Sequence, residues 1–362
     1  MSDRAGRPRD VVLYDANALN PYGAEVGALL LAAGYRVTRW CRVGDPFAGA
    51  AHRSRRVLWA SRRQVGVIAA GLSRILGPWA FAAGHLFSRR PLVFLWLLSR
   101  QDLRVARVLT RLGRDVVVVD HNPIPERSLP GRSAALMAGL RDGPARVVVH
   151  SPHLVTEADG RRERVVPHPS YRRWVGAYRA RSVRHHAAPQ ALFLGALRPD
   201  KGAAELPIIV AELLRVDVRV LIAGRGGLPD DAWAACKGHA GFRTMGLTQS
   251  LTDHEVAAAL RSSHVLLAPY TDVTMSGSIL MALSAGLAVA AYESPALRDV
   301  LPHEFTVAAR DPLALARRAA ELAYATESWA AVVDDAMQAS DLACMAAWQR
   351  VLTADDVAVA AR

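Results

Sequence analysis

The sequence predicts an α/β protein: two Rossmann-like, doubly wound parallel-sheet domains. Three observations carry that expectation. Short, fully apolar runs of four or five residues recur along the chain, separated by stretches of helical periodicity. That alternation is the pattern of parallel strands buried on both faces by helices. The chain has 362 residues, 51% of them hydrophobic and 22% charged, which is enough to bury two cores. The two halves also differ in charge. Residues 1–188 contain 31 Arg and no Lys against 13 acidic residues, a balance of +18. Residues 189–362 carry 14 basic and 20 acidic residues, a balance of −6.

In the first half, strands are expected at 11–14, 35–38, 115–120 and 146–150, and helices at 22–33, 101–112 and 131–141. In the second half, strands are expected at 191–194, 218–222, 264–267 and 287–291, and helices at 203–214, 252–261, 277–285 and 312–325. Residues 171–189 are rich in Arg and His, are weakly periodic and contain the domain boundary. The expected organisation is therefore a domain at 1–175, a linker at 176–189, a second domain at 190–327, and helices at 328–362 that cross back to the first.

Composition narrows the function. Cys41, Cys236 and Cys344 are far apart and form no CxxC, so neither a disulfide framework nor a zinc site is expected. The polar start shows no secretory signal, and no apolar run reaches spanning length, so a cytoplasmic protein is expected. Residues 64–100 are the odd part: apolar, Trp-bearing segments flanked by arginine. They read either as helices packed on the sheet or as a monotopic surface resting on a bilayer. Arg53, Arg55, Arg56, Arg62 and Arg63 would then meet anionic lipid.

Three segments carry chemistry. Residues 193–202, FLGALRPDKG, take a buried strand into a loop bearing Arg198 and Lys201. In an open parallel sheet, ligands bind beyond the carboxyl ends of strands, and backbone N–H groups with two cations suit an anion there. Lys201 is one of only two lysines in an arginine-biased chain. Residues 221–227, LIAGRGG, take a second strand into a glycine turn that would let a ligand approach the backbone. Residues 264–286 run from a strand through Ala268-Pro269-Tyr270 into Ser276-Gly277-Ser278, where Ser276 is placed to cap an apolar helix. Two anion sites fit a diphosphate. No dinucleotide fingerprint follows the first strand and no Walker motif occurs, which counts against a nicotinamide enzyme or an NTPase.

Taken in order, these segments resemble the C-terminal half of GT-B glycosyltransferases of the group-1 family, nearly continuously over 190–325. The first half adds Asn20-Pro21-Tyr22, the 120–126 segment DHNPIPE and the 165–171 segment VVPHPSY, which resemble a sub-branch that builds exopolysaccharides and other glycoconjugates. The common pattern of two glutamates seven residues apart is replaced by Val273 and Met281, and the usual Arg after the first loop glycine is Ala196.

The resemblance implies a GT-B fold and glycosyl transfer from a UDP- or GDP-linked sugar to a hydroxyl of a glycan, glycolipid or small molecule. Arg198, Lys201, Ser276, Gly277 and Ser278 would bind the donor diphosphate. Gly224, Arg225, Gly246, Leu247 and Tyr270 would line the nucleotide pocket, and Asn20 and Tyr22 would meet the acceptor. His121, Asp15 and Glu126 are the candidate catalytic groups, since each follows a strand end. No metal and no resident cofactor are expected. Asp334-Asp335 and Asp355-Asp356 are adjacent pairs on tail helices, and His185-His186 lies in the linker. Expected partners are the donor, a glycan or lipid-linked acceptor and an anionic membrane surface, with no nucleic acid. A sugar-nucleotide epimerase on the same architecture, and a basic nucleic-acid-binding protein, are the alternatives.

Overall fold

The computed structural model describes residues 9–17, 20–42, 53–57, 62–121, 132–155, 163–179, 188–272, 276–308 and 310–353. The chain divides into two compact units, Met1–Pro169 with Asp341–Arg362, and Ser170–Ser340.

The first unit holds strands β1 (Asp10–Tyr14), β2 (Arg36–Arg42), β3 (Arg53–Val57), β4 (Leu92–Phe94), β5 (Val116–Val119), β6 (Arg146–Val149) and β7 (Glu163–Val165). Helices α1 (Tyr22–Ala32), α2 (Arg62–His85), α3 (Arg100–Arg111) and α4 (Arg132–Arg141) connect them. All seven strands are parallel, in the order β3-β2-β1-β4-β5-β6-β7. Its core packs the rings of Tyr14, Phe81 and Phe94, with centroids 4.9–5.3 Å apart. Tyr14 donates its hydroxyl to Asp102 Oδ1 (2.7 Å), and Asp102 closes a capping box with Ser99 at the start of α3. Burial pushes that carboxyl up to about 6.

The second unit holds α5 (Arg172–Ala177), β8 (Gln190–Leu194), α6 (Leu206–Arg215), β9 (Arg219–Ala223), α7 (Asp230–Trp233), β10 (Phe242–Met245), α8 (Asp253–Arg261), β11 (Val265–Ala268), α9 (Gly277–Ser284), β12 (Ala288–Tyr292), α10 (Pro295–Arg298), β13 (Thr306–Val307) and α11 (Pro312–Tyr324). Six parallel strands run in the order β10-β9-β8-β11-β12-β13. Helix α12 (Thr326–Thr353) begins in this unit, and its last residues belong to the first. There Arg146 donates to the Val351 carbonyl and pairs with Asp115, which pins the helix end to β6.

Several elements depart from the expected ones. Strands β3, β7, β10 and β13 are the edge strands of the two sheets, and their sequences carry no continuous apolar run. The apolar stretch 91–98 conceals β4. The weakly periodic segment before β8 contains α5, whose Trp174 and Val175 are buried. A six-residue helix is too short to show a period.

The strand orders have a functional consequence. In each sheet the order of strand addition reverses once, between β1 and β4 and between β8 and β11, while every strand stays parallel. The carboxyl ends of those strand pairs border the crevices where open α/β sheets bind ligands.

Candidate functional site

In the second unit, β8 ends at Leu194 and the chain turns at Gly195 (φ +138°). The sheet's hydrogen bonding continues past the strands. Gly195 N–H donates to Ala223 O (2.9 Å), Gly224 N–H to Met245 O (2.8 Å), Leu197 N–H to Arg225 O (2.8 Å) and Gly226 N–H to Leu247 O (3.0 Å). Leu197, Arg225 and Leu247 are thus neighbours on a rigid extension of three strands. A Cβ on Gly224 would stand 1.8 Å from the Gly195 carbonyl oxygen. The adjoining loop alone therefore requires glycine at this position.

Gly202 adopts the left-handed conformation (φ +70°), and a Cβ there would lie 1.9 Å from the Pro269 carbonyl oxygen. This close approach ties the loop after β8 to the loop after β11 at the switch point. It delivers Lys201 onto Tyr270, with Nζ 4.2 Å from the ring centroid. Tyr270 is only 3% exposed, so it supports Lys201 and offers no open face to a base. Among the described residues no carboxylate pairs with Lys201.

Ser278 arrives from α9. Its Oγ and the Lys201 Nζ lie 3.6 and 3.7 Å from the point where a Cβ on Gly195 would stand. A cation, a hydroxyl and the amino end of α9 therefore converge on one backbone position. Ser276 occupies the N-cap position but makes no side-chain cap. Its hydroxyl is buried and lies 3.5 Å from the Tyr270 hydroxyl. Among the described residues no side chain accepts from the first-turn N–H groups of α9, the arrangement that favours an anion. Gly277 stands beside Tyr171, whose backbone N–H donates to Ser284 Oγ (2.8 Å). Arg198 is exposed and holds Asp200 through two hydrogen bonds (3.0 and 2.6 Å). Gly246 turns the chain after β10 (φ +72°) and Arg225 is exposed.

In the first unit, the residues following the strand ends form a ring cluster. Tyr22 lies edge-on to His121 (4.9 Å), His150 (5.2 Å), His168 (4.8 Å) and Trp96 (5.9 Å). Trp96 stacks on His121 at 3.8 Å and 10°. Each histidine gives one N–H to a backbone carbonyl at 2.9 Å: His121 Nε2 to Leu95, His150 Nδ1 to Val166 and His168 Nδ1 to Pro169. Because a carbonyl only accepts, these bonds fix the tautomers and leave the other ring nitrogen without a proton. Burial, with the neighbouring His150, pushes His121 down to about 3. Burial pushes His150 to about 4 and His168 well below the ordinary range. All three are neutral at physiological pH. Among the described residues no group of three His, Cys, Asp or Glu could hold a metal ion.

The expected roles change accordingly. Asp15 is buried in an ion pair with Arg39, at 3.0 Å to Nε and 2.6 Å to Nη2. A carboxylate held that way is a poor proton acceptor. His121, pushed far down, serves better as a neutral hydrogen-bond acceptor than as a strong base. Tyr22 is fully buried and packs inside the cluster, while Asn20 Oδ1 accepts from the Tyr22 backbone N–H (2.9 Å). Glu126 and Val273 lie outside the described residues. His150 and His168 escaped the sequence reading as site candidates. The signal was present for His150, which follows the buried strand β6; His168 follows the edge strand β7, which has no apolar run to mark it.

Residues 188–324 match the family described as Glycosyl transferases group 1. Among solved structures, a glycosyltransferase from Rickettsia africae superposes with a TM-score of 0.62 at 12% identity, over 96% of this chain and 100% of that one. The catalytic domain of starch synthase IV from Arabidopsis thaliana, bound to ADP and acarbose, gives 0.61 at 13%, over 95% and 99%. A UDP-forming α,α-trehalose-phosphate synthase from Burkholderia xenovorans gives 0.59 at 13%, over 96% and 98%. No protein with a curated description matches the sequence. At such identities the superpositions establish the fold, which is GT-B. The second unit is in addition a glycosyltransferase domain of the group 1 type, which makes the chain an enzyme of glycosyl transfer.

Proposed function

We propose that the protein transfers a sugar from a nucleoside-diphosphate sugar, UDP- or GDP-linked, to a hydroxyl of a glycan or lipid-linked acceptor. The observation that carries this is the convergence of Lys201, Ser278 and the amino end of α9 on Gly195, at a topological switch point. As the glycosidic bond breaks, the leaving diphosphate gains negative charge. Donors already in place stabilise that charge without reorganisation. Lys201, Ser278 and the N–H groups of Gly277 and Ser278 fill this role, and Arg198 joins by exchanging Asp200 for phosphate. These groups do what a divalent cation does elsewhere, so the proposed reaction is independent of metal and of any resident cofactor. The base and ribose would lie along the extension formed by Arg225, Gly246 and Leu247. His121 would accept a hydrogen bond from a hydroxyl of a reacting sugar through its bare Nδ1. The arginine surplus of residues 1–188 supports an acceptor displayed at an anionic membrane, and a place on the inner face of that membrane. An exopolysaccharide or related glycoconjugate product fits the same reading.

A thermal-shift panel of UDP, GDP and dTDP tests the assignment. At least one diphosphate should stabilise the wild type, and Arg198→Ala and Lys201→Ala should each reduce that shift. Equal shifts in both variants would refute the phosphate site.

A further inference from the structure

Helix α2 is turned inside out. Over residues 71–85, whose side chains are described, its inward face is built of Ser73, Gly77, Pro78, Phe81 and Ala82, all buried and, Phe81 apart, small. In the same stretch Leu72, Ile75, Leu76 and Trp79 face the solvent instead. Leu72 is 53% exposed, Ile75 49%, Leu76 54% and Trp79 40%. The spacing 72, 75, 76, 79 places them on one helical stripe. Leu86 and Phe87, the latter 87% exposed, continue the apolar surface just past the helix end. Scattered exposed apolar residues are ordinary, but a contiguous patch of this kind marks an interaction surface.

Charge identifies the occupant. Residues 46–101 contain nine arginines and not one aspartate or glutamate. A second copy brought face to face through α2 would carry the same surplus and be repelled. An anionic bilayer has the complementary sign and accepts an apolar stripe lying flat at its interface. Trp79 suits that depth, since its ring is partly exposed while its Nε1–H donates to Gln101 Oε1 (3.3 Å). Among the described residues no helix is long and apolar enough to cross a membrane. Lying on the surface is the mode α2 permits.

We infer that the outward stripe of α2, with Leu86 and Phe87, is a monotopic docking face for an anionic lipid surface. Arg74, Arg89, Arg90 and Arg100, all exposed, supply the electrostatic attraction among the described residues. The side chains of Arg53, Arg55, Arg56, Arg62 and Arg63 are outside those described, so the face is defined by the apolar residues alone. It is independent of the nucleotide site.

Co-sedimentation of the full chain with phosphatidylcholine vesicles, with and without phosphatidylglycerol, tests it. The wild type should bind the anionic vesicles and release them at high salt. The double variant Ile75→Asp, Leu76→Asp should lose roughly tenfold or more of that binding, because buried apolar area carries part of the affinity. It should keep its nucleotide-induced thermal shift, so failure here is separable from failure of the glycosyltransferase reading. Leu342→Asp, at an exposed apolar site on α12, should leave binding unchanged. Three results would overturn the inference: no wild-type binding, equal binding by the double variant, or a dimer that the double variant dissolves without any vesicle effect.

Discussion

Lowering the pH from 7.5 to 5.5 should destabilise the first unit by about 3 kcal/mol. His121, His150 and His168 are neutral when folded, because burial holds them far below the ordinary histidine value. Released by unfolding, each titrates near 6.5. Below that pH the unfolded chain binds more protons than the native one, so stability falls as pH falls. Over this interval each histidine removes about 1.4 kcal/mol, or about 4 kcal/mol for three. Asp102 acts in the opposite direction. Its folded value is raised to about 6, so the native state takes up its proton first and regains about 0.8 kcal/mol. The balance at pH 5.5 is about two protons taken up on unfolding, or about 2.7 kcal/mol per pH unit. Urea unfolding at several pH values measures the slope, and calorimetry in buffers of different ionisation enthalpy counts the protons. His150→Asn should lower the uptake by about one. A flat pH profile between 7.5 and 5.5, or an uptake below one proton, would refute the buried-neutral cluster.

Two further substitutions probe the frameworks that hold the sites. Asp15→Asn leaves the Arg39 guanidinium buried without its counter-charge and should cost about 3–5 kcal/mol in chemical denaturation; a loss within experimental error would place water beside that pair. Gly202→Ala puts a Cβ against the Pro269 carbonyl in a left-handed conformation, and should cost about 2 kcal/mol or more and weaken diphosphate binding together.

The second half was far more legible in the sequence than the first. Each central strand there runs directly into the loop that bears chemistry. Lys201 stands out by its rarity, and the Ser-Gly-Ser helix start is a local signal. The particular use of each residue was less visible. Tyr270 reads only as part of the nucleotide-pocket lining until its burial beneath Lys201 is known, and the packing of Gly224 against the Gly195 carbonyl is not visible in the sequence. Both depend on contacts between loops distant in sequence. The first-half cluster gathers residues from five separate strand ends, and periodicity carries no information about which ends become neighbours. Asp15 shows the same limit. Its position after β1 suggested a base, and only the register of β1 against β2 brings Arg39 to it. The outward stripe of α2 was half visible, as apolar residues flanked by arginine. Which face points out required the fold.

The central claim is that Lys201 recognises the β-phosphate of a nucleoside diphosphate. Calorimetric titration of wild type and Lys201→Ala with UDP and UMP, or GDP and GMP if the panel selects guanine, tests it as a cycle. Wild type should prefer the diphosphate by roughly tenfold or more, as expected of a charge-assisted contact worth about 1.5–3 kcal/mol. In Lys201→Ala that preference should largely vanish while monophosphate affinity stays the same. A preference that survives intact in the variant would contradict the assignment.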